Sequence, residues 1–266
     1  MGMEGRFLRS KPPELLIMAE DRLQDLRLTR RTRTFENISD STLFQQVASQ
    51  YGLQANVDVT GPTYRVLAQV NQSDLAFLRE RARAIDAELW IASGSLNVKS
   101  RNRRETDDVT LTYGQGLFEF NVLADISTQA SGFVVSGWDV LGKQPISYRA
   151  TDSALASELN GDLSGGKVLG TAIGQHDQQI VHDLPFTTQE AQALAESEFR
   201  HAARRFVTGT GMAEGDARIQ VGTKLTLQAL GTMFDGNYYV TRVRHLFDST
   251  SGYRTQFVVE RAGIGT

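Results

Sequence analysis

Two arginine clusters contain the side chains with the clearest potential for chemistry. The first, the run Arg27–Arg33, includes Arg30 and Arg31, and its charge density could bind phosphate groups. On an extended segment Arg31 and Arg33 share one face, and no aromatic side chain is interleaved before Phe35 to stack a base. We therefore favour a structural role for this run. A nucleic-acid-binding domain that uses it is an alternative hypothesis.

The second cluster joins basic residues to acidic residues that follow at once. Its members are Lys99, Arg101, Arg103, Arg104, Glu105, Asp107 and Asp108. Opposite charges so close together favour a solvated loop or a self-complementary interface. We predict contacts between protein chains at arginines of both clusters: Arg30, Arg31, Arg33, Arg101, Arg103 and Arg104.

Residue types suited to catalysis or metal binding form no recognisable constellation. The 4 histidines are spread without metal-ligand spacing, and the absence of cysteine excludes thiolate metal sites and a cysteine nucleophile. Ser136-Gly137-Trp138 resembles part of a nucleophile elbow, but Val134 stands where that motif requires glycine. We predict no catalytic residue, no metal site and no cofactor.

Paired acids and a glycine-rich stretch give weaker signals. Asp107-Asp108 and the pair Glu158 and Asp162 have the residue types of a glycosidase, but the sequence places neither pair in a cleft. We interpret them as solvated acids. The glycines between Gly161 and Gly170 match neither phosphate-loop pattern, so this stretch is predicted to be a flexible crossover loop.

Composition limits the classes of partner. The chain has 266 residues, 28 of them basic and 31 acidic, and its net charge of -3 gives no overall attraction to nucleic acid or anionic membranes. Hydrophobic residues make up 40%, as in ordinary globular proteins. The apolar stretch Leu15–Ala19 is far shorter than the roughly 20 residues of a membrane helix. We predict no membrane partner, and synthesis in a reducing compartment.

Short stretches rich in β-branched and aromatic residues recur along the chain. Those predicted to form strands are Leu15–Ala19, Val66–Val70, Glu88–Ala92, Val109–Tyr113, Phe118–Leu123, Phe133–Trp138, Pro145–Tyr148, Lys224–Leu230, Tyr238–Phe247 and Tyr253–Arg261. Several alternate apolar and polar residues, as half-buried strands do. The sequence therefore predicts a β-rich α+β protein.

Three segments have helical spacing instead. Apolar residues of Ser41–Tyr51 lie on one helical face, and Gly52 suits the position after its end. Ser73–Ala87 has the same periodicity, and Thr188–Phe206 begins with capping-box spacing. The glycines at 209 and 211 are expected to mark the end of the third helix. The first two helices, with neighbouring strands, predict a compact α/β unit, and the later strands predict a barrel or a sandwich.

The segment Asn71–Leu78, NQSDLAFL, closely resembles the helix start typical of the phage late control gene D and VgrG family of baseplate hub proteins. Other landmarks of that family agree in order. They are Leu28–Phe35, Thr42-Leu43, Tyr51-Gly52-Leu53, Gly236–Val240, Val243–His245 and Gly252–Phe257. The likeness spans most of the chain.

The resemblance implies tail-tube-like β-barrel hub domains with a small α/β module and one long helix. Residues 1–34 would be the C-terminal part of a first hub barrel whose start is missing, and residues 35–108 the module with two helices. Residues 109–266 would form a second hub barrel, with a long crossing connection (151–186) and a helix (188–206). Because VgrG-type members continue into a spike, we expect either a truncated chain or a shorter relative with a separate spike protein.

The resemblance also implies a function without enzymatic activity. The chain would be a structural baseplate hub of a contractile phage tail or phage-like injection system, joining the tail tube to the central spike as a homotrimer. Expected partners are further copies of the chain, the tail tube protein, a spike protein or C-terminal spike domain, and baseplate wedge proteins. It would reside in the bacterial cytoplasm during assembly, then in the baseplate of a virion or injection particle. A baseplate-associated peptidoglycan hydrolase is the alternative.

Overall fold

A computed structural model describes residues 2–266. The chain divides into two units, of which unit 1 comprises Met1–Arg83 and Ala87–Ser100, and unit 2 comprises Ala84–Asp86 and Arg101–Thr266. Among the described residues, none of the helices combines the length and apolar character needed to cross a bilayer.

Unit 1 contains two helices and three small sheets. Its elements are β1 (Gly2–Arg6), β2 (Glu14–Met18), a 3-10 helix (Arg22–Arg27), β3 (Arg30–Ser39), α1 (Asp40–Gln50), β4 (Gln54–Asp58), β5 (Thr63–Ser73), α2 (Asp74–Ala84), β6 (Ala87–Ala92) and β7 (Ser95–Ser100). The antiparallel pairs are β1 with β2 and β3 with β5, and the third sheet has the order β4-β7-β6.

Local chemistry explains both helices of unit 1. Ser39 caps α1, since its hydroxyl accepts a hydrogen bond from the backbone N–H of Thr42 at 3.3 Å. The hydroxyl of Ser73 does the same for Ala76 at 3.2 Å at the start of α2. Both helices bury one apolar face, and Leu78 is completely buried. The helices predicted near these positions are confirmed, although α2 ends at Ala84 rather than Ala87.

Unit 2 combines a barrel with a second lobe. Its elements are a 3-10 helix (Arg101–Arg103), β8 (Asp108–Tyr113), β9 (Gly116–Ala124), β10 (Gly132–Asp139), β11 (Gln144–Ala150), a 3-10 helix (Asp152–Leu155), α3 (Ala156–Leu159), β12 (Leu163–Ser164), α4 (Gly165–Ala172), β13 (Asp177–Ile180), α5 (Thr188–Ala203), β14 (Val207–Glu214), β15 (Lys224–Gln228), β16 (Gly236–Asp248), β17 (Gly252–Arg261) and β18 (Gly263–Ile264).

The barrel is closed by six strands in the order β14-β17-β16-β15-β8-β9. Its interior is filled by apolar and aromatic side chains, among them Tyr238, Phe257 and Phe120. Gly209 on β14 makes room for one of these rings, since a Cβ there would lie 2.5 Å from Cζ of Phe120. The β-rich fold with a barrel is therefore as the sequence predicts.

The second lobe lies between β9 and β14 in sequence. Its three-stranded sheet has the order β11-β10-β13, and α5 packs against it. The rings of Phe133 on β10 and Phe199 on α5 meet edge to face, with centroids 6.2 Å apart. Thr187 caps α5, accepting a hydrogen bond from the backbone N–H of Glu190 at 3.2 Å.

Two expectations for this lobe are wrong in detail. The glycine-rich stretch expected to be a flexible loop contains α4, because Gly165 and Gly166 allow close packing; a Cβ on Gly166 would lie 2.8 Å from the carbonyl oxygen of Ala130. The third helix ends at Ala203 rather than Phe206. The chain turns directly into β14, so the two glycines expected to end the helix lie inside a strand.

Candidate functional site

The first arginine cluster surrounds one buried carboxylate, Asp74, the first residue of α2. Arg33 approaches Asp74 with Nη2 2.7 Å from Oδ1, and Arg31 Nε lies 3.2 Å from Oδ2. The hydroxyl of Tyr51 donates to Oδ2 at 2.6 Å, and the side-chain amide of Gln69 donates to Oδ1 at 2.9 Å. Four side chains from β3, β5 and the end of α1 therefore converge on one acid. We call this set the Asp74 centre.

The Asp74 centre keeps its carboxylate ionised. Burial alone would raise the pKa of Asp74, but the hydrogen bonds from Tyr51 and Gln69 and the charges of Arg33 and Arg31 outweigh burial and hold that pKa below its ordinary value. The two arginines are consequently engaged inside unit 1.

The remaining arginines of this run have other partners. Arg30 donates from Nη1 to the carbonyl oxygen of Asn71 at 3.1 Å, and Arg27 Nη2 lies 2.9 Å from a carboxylate oxygen of Glu20. Both side chains are exposed. A contact of the run with another protein chain stays a prediction.

The second arginine cluster is attached to the barrel. Arg101 forms an ion pair of 2.5 Å with Glu260, and its guanidinium lies 4.2 Å from the centre of the Tyr239 ring. Arg104 donates to the carbonyl oxygen of Val221. Arg103 ends the short 3-10 helix and is exposed.

A buried cation, which the sequence did not single out, organises part of unit 2. Arg204, just after α5, is paired with Asp86 through both guanidinium nitrogens Nη1 and Nη2, the latter at 2.8 Å. It also donates to Glu158 on α3, with Nε–Oε2 and Nη2–Oε1 distances of 2.8 Å and 2.6 Å. We call this set the Arg204 centre. An arginine at the C-terminal end of an amphipathic helix was the only sequence signal for it.

Burial and pairing act against each other in the Arg204 centre. Burial would raise the pKa of Glu158, but the hydrogen bond and charge of Arg204 hold it below its ordinary value. Asp162 is likewise paired, with Oδ2 2.6 Å from Nη2 of Arg261. Glu158 is exposed, as predicted, but neither it nor Asp162 is only a solvated acid. Each balances a buried arginine, which sequence spacing could not reveal.

The residues considered for catalysis occupy ordinary structural positions. Ser136, Gly137 and Trp138 lie within β10, not in a turn from a strand to a helix. The imidazole Nδ1 of His245 lies 3.0 Å from the Tyr253 hydroxyl. Over residues 2–266, no three histidine or carboxylate side chains are grouped so as to hold a metal ion.

Exposed apolar side chains form the other prominent surface feature. They occur on the β1–β2 hairpin, on the outside of β8 and β9, and at the tip of the β10–β11 hairpin. They include Met3, Leu15, Ile17, Tyr113, Phe118, Leu123, Trp138, Val140 and Leu141. Apolar surface of this kind is typical of contacts with other proteins. The strand patterns in the sequence did not show which faces would stay uncovered.

Solved structures of tail proteins share this fold. The tail protein from Neisseria meningitidis superposes with a TM-score of 0.73 at 12% identity, over 99% of this chain and 79% of that one. The 43 kDa tail protein of prophage MuSo2 from Shewanella oneidensis gives 0.68 at 15% identity, over 91% and 72%. An E. coli component of the type VI secretion system, described as similar to the T4 tail proteins gp27 and gp5, gives 0.54 at 10% identity, over 92% and 55%.

Sequence comparison adds a family. No curated protein matches the sequence. The family model for the Alg8 N-terminal domain matches residues 5–248, nearly the whole of both units. With that match, the chain belongs to the Alg8 N-terminal domain family.

Proposed function

We propose that the chain is a structural component of a contractile phage tail or a phage-like injection system, and that it acts as the baseplate hub without enzymatic activity. The main observation in support is that its fold matches two tail proteins, over 99% of its length for the Neisseria protein and 91% for the MuSo2 protein. A likeness that covers both units supports a role for the whole chain and not for one borrowed module.

The late control gene D and VgrG resemblance supports the hub position. Its most specific segment, Asn71–Leu78, forms the end of β5 and the start of α2. That segment supplies Asp74, the acid on which four side chains of unit 1 converge. The residues that carry the resemblance therefore stabilise the module itself, as expected for a fold element of a structural protein.

In this proposal the chain forms a homotrimer that joins the tail tube to the spike. Its partners are further copies of itself, the tail tube protein, a spike protein or C-terminal spike domain, and wedge proteins of the baseplate. It is assembled in the bacterial cytoplasm and is then located in the baseplate of a virion or injection particle. The exposed apolar side chains of β8, β9 and the two hairpins support such contacts, since free apolar surface favours association.

The oligomeric state tests the proposal. Sedimentation velocity of the purified chain at micromolar concentration and low salt should show a trimer. A second measurement, electron microscopy of particles carrying a tagged copy, should place the tag at the junction of tube and spike. A stable monomer or dimer, or a tag located elsewhere, would contradict the hub.

A further inference from the structure

The outer face of the barrel carries a groove with an unusual charge arrangement. The groove has a volume of about 430 Å³ and crosses strands β9, β14, β17 and β16. One row across these strands consists of Glu119, Met212, Gln256 and Arg244, and the next row ends at Arg242. An acid therefore stands at one margin and two arginines stand at the other.

The two arginines lack counter-ions. Arg242 and Arg244 are exposed and lie on the same face of β16. Within residues 2–266 neither has a hydrogen bond or an ion pair, whereas Arg33, Arg101, Arg204 and Arg261 are all paired. Glu119 is three strands away, about 14 Å at the usual strand spacing, too far to pair with them. Two like charges about 7 Å apart on one strand fit a partner with two carboxylates at the same spacing.

The remaining lining indicates what kind of partner fits. Met212 and Val258 form a half-buried apolar floor, and Thr210 adds a hydroxyl. Glu119 at the far margin opposes a polyphosphate chain, and no exposed aromatic ring in the lining could stack a base. Mixed charge around an apolar floor favours a polypeptide over a nucleic acid.

The chain itself contains a segment with the complementary spacing. Glu105 and Asp107 lie two residues apart, exposed, just before β8. Asp108 follows them, and Asp216 lies nearby, paired with Arg218 at 2.6 Å. Lys224 on β15 is the register partner of Asp108. Within residues 2–266, Glu105 and Asp107 have no ion pair. We call residues 105–108 the acidic segment.

The groove and the acidic segment belong to different strands of one barrel. In the strand order, β15 separates β16 from β8, so the two features are two strands apart in a barrel of six. A contact in which the acidic segment of one copy enters the groove of the next copy is head-to-tail and repeats around a ring. This step rests on the proposed function, which supplies the ring.

We propose that Glu105 and Asp107 of one copy bind in the groove of the next copy, opposite Arg244 and Arg242. The partner of this face is therefore a second copy of the chain. The contact is charge-complementary, and its formation neutralises the two arginines that have no partner within a single copy.

Charge reversal tests the contact in the full chain. The groove variant R242E/R244E and the segment variant E105R/D107R should each weaken ring formation more than tenfold in sedimentation at low salt, because like charges then face each other. The variant that combines all four changes restores opposite charges and should return to within about threefold of the wild-type association. The control for the groove variant is Lys167→Glu with Arg205→Glu. It replaces the same number of cations by acids at exposed positions elsewhere in unit 2.

Each outcome is decisive. A wild-type chain that forms no ring overturns the proposed hub and this contact together. A wild-type ring that both pair variants leave intact overturns the contact alone. Weakening in both pair variants without restoration in the combined variant also overturns it, since complementarity is then not the cause. Binding of a single-stranded DNA 20-mer that R242E/R244E abolishes, with the ring unchanged, assigns the groove to nucleic acid instead. Thermal unfolding of every variant checks that the fold is kept.

Discussion

The Asp74 centre of unit 1 and the Arg204 centre of unit 2 are each built around a buried ion, and the two ions have opposite signs. In unit 1 the buried ion is the Asp74 carboxylate, whose cationic partners Arg31 and Arg33 remain 43% and 24% exposed. In unit 2 the buried ion is the Arg204 guanidinium, whose partners Asp86 and Glu158 are only 9% and 28% exposed. Both counter-ions of Asp74 therefore reach solvent, whereas in the Arg204 centre one counter-ion, Asp86, is enclosed together with the arginine.

The neutral donors add a second difference. Asp74 is also bound by the Tyr51 hydroxyl and the Gln69 amide, which can serve an uncharged acceptor equally well. Glu158 and Asp86 receive charge-assisted bonds from Arg204 that no neutral side chain of similar shape can replace. Removal of a buried ion should therefore cost more in unit 2 than in unit 1.

Arg204→Met should have the largest effect. It removes the cation that joins Asp86 to Glu158. The buried Asp86 is left with longer contacts, to Arg200 at 3.8 Å and to His201 at 4.0 Å. We therefore expect the free energy of unfolding of unit 2 to fall by about 3–5 kcal/mol. Urea denaturation followed by circular dichroism measures it. The neighbouring exposed Arg205→Met is the control and should change stability by less than about 0.5 kcal/mol. A loss below about 1 kcal/mol for Arg204→Met would show that water already reaches the centre.

Asp74→Asn should cost less, about 2 kcal/mol, because it removes a charge but keeps the shape and the acceptor oxygen. Its two arginines can turn toward solvent. The same denaturation experiment, with the exposed Asp25→Asn as control, checks the value. If Asp74→Asn destabilises the protein as much as Arg204→Met, exposure of the counter-ions does not explain the difference between the centres.

Acid titration sharpens the comparison further. The pKa of Asp74 is held below its ordinary value of 3.8, so its stabilising contribution is fully present above that value and is lost as pH falls through the lower folded pKa. The wild type and Asp74→Asn should therefore differ at pH 6, and the difference should shrink as the pH falls below 3.8. Unfolding free energies measured across this range test the sign, and curves that stay parallel would contradict it.

The smallest effect is expected for an ion pair of similar geometry on the surface. Arg149 contacts Asp177 through two nitrogens at 2.7 Å and 2.8 Å, but both side chains are exposed. Arg149→Gln should cost less than about 1 kcal/mol, and the loss should shrink in 1 M salt. A loss approaching that of Arg204→Met would mean that geometry, and not burial, determines the cost.

Local periodicity predicted much of the fold. The three long helices and ten of the strands lie where the residue pattern places them. Apart from β2, which is exposed along its whole length, these segments bury one face against the rest of their unit. β3 was not predicted, since its alternating arginines resemble a solvated basic run. Their actual partner, Asp74, is some forty residues away in sequence.

The glycine-rich strand β14 was missed for a different reason. Glycine in the sequence Val207–Glu214 suggests the end of a helix, whereas in the barrel Gly209 and Gly211 make room for the rings of Phe120 and Phe257. Only the closed barrel brings these rings to the glycines. The Arg204 centre is equally invisible in sequence, since Asp86, Glu158 and Arg204 are far apart along the chain.

The aromatic rings that pack against Gly209 and Gly211 bear on how material could pass through an assembly. Six strands enclose too little space for an aqueous pore, and aromatic, leucine and valine side chains occupy the barrel interior. A barrel of this kind has a packed interior and no channel of its own. Any channel in a particle built from this chain must therefore be bounded by the outer faces of several barrels. The width of such a channel would depend on the number of copies and on the tilt of their barrels. Substitutions inside one barrel would change the stability of that barrel without widening the channel.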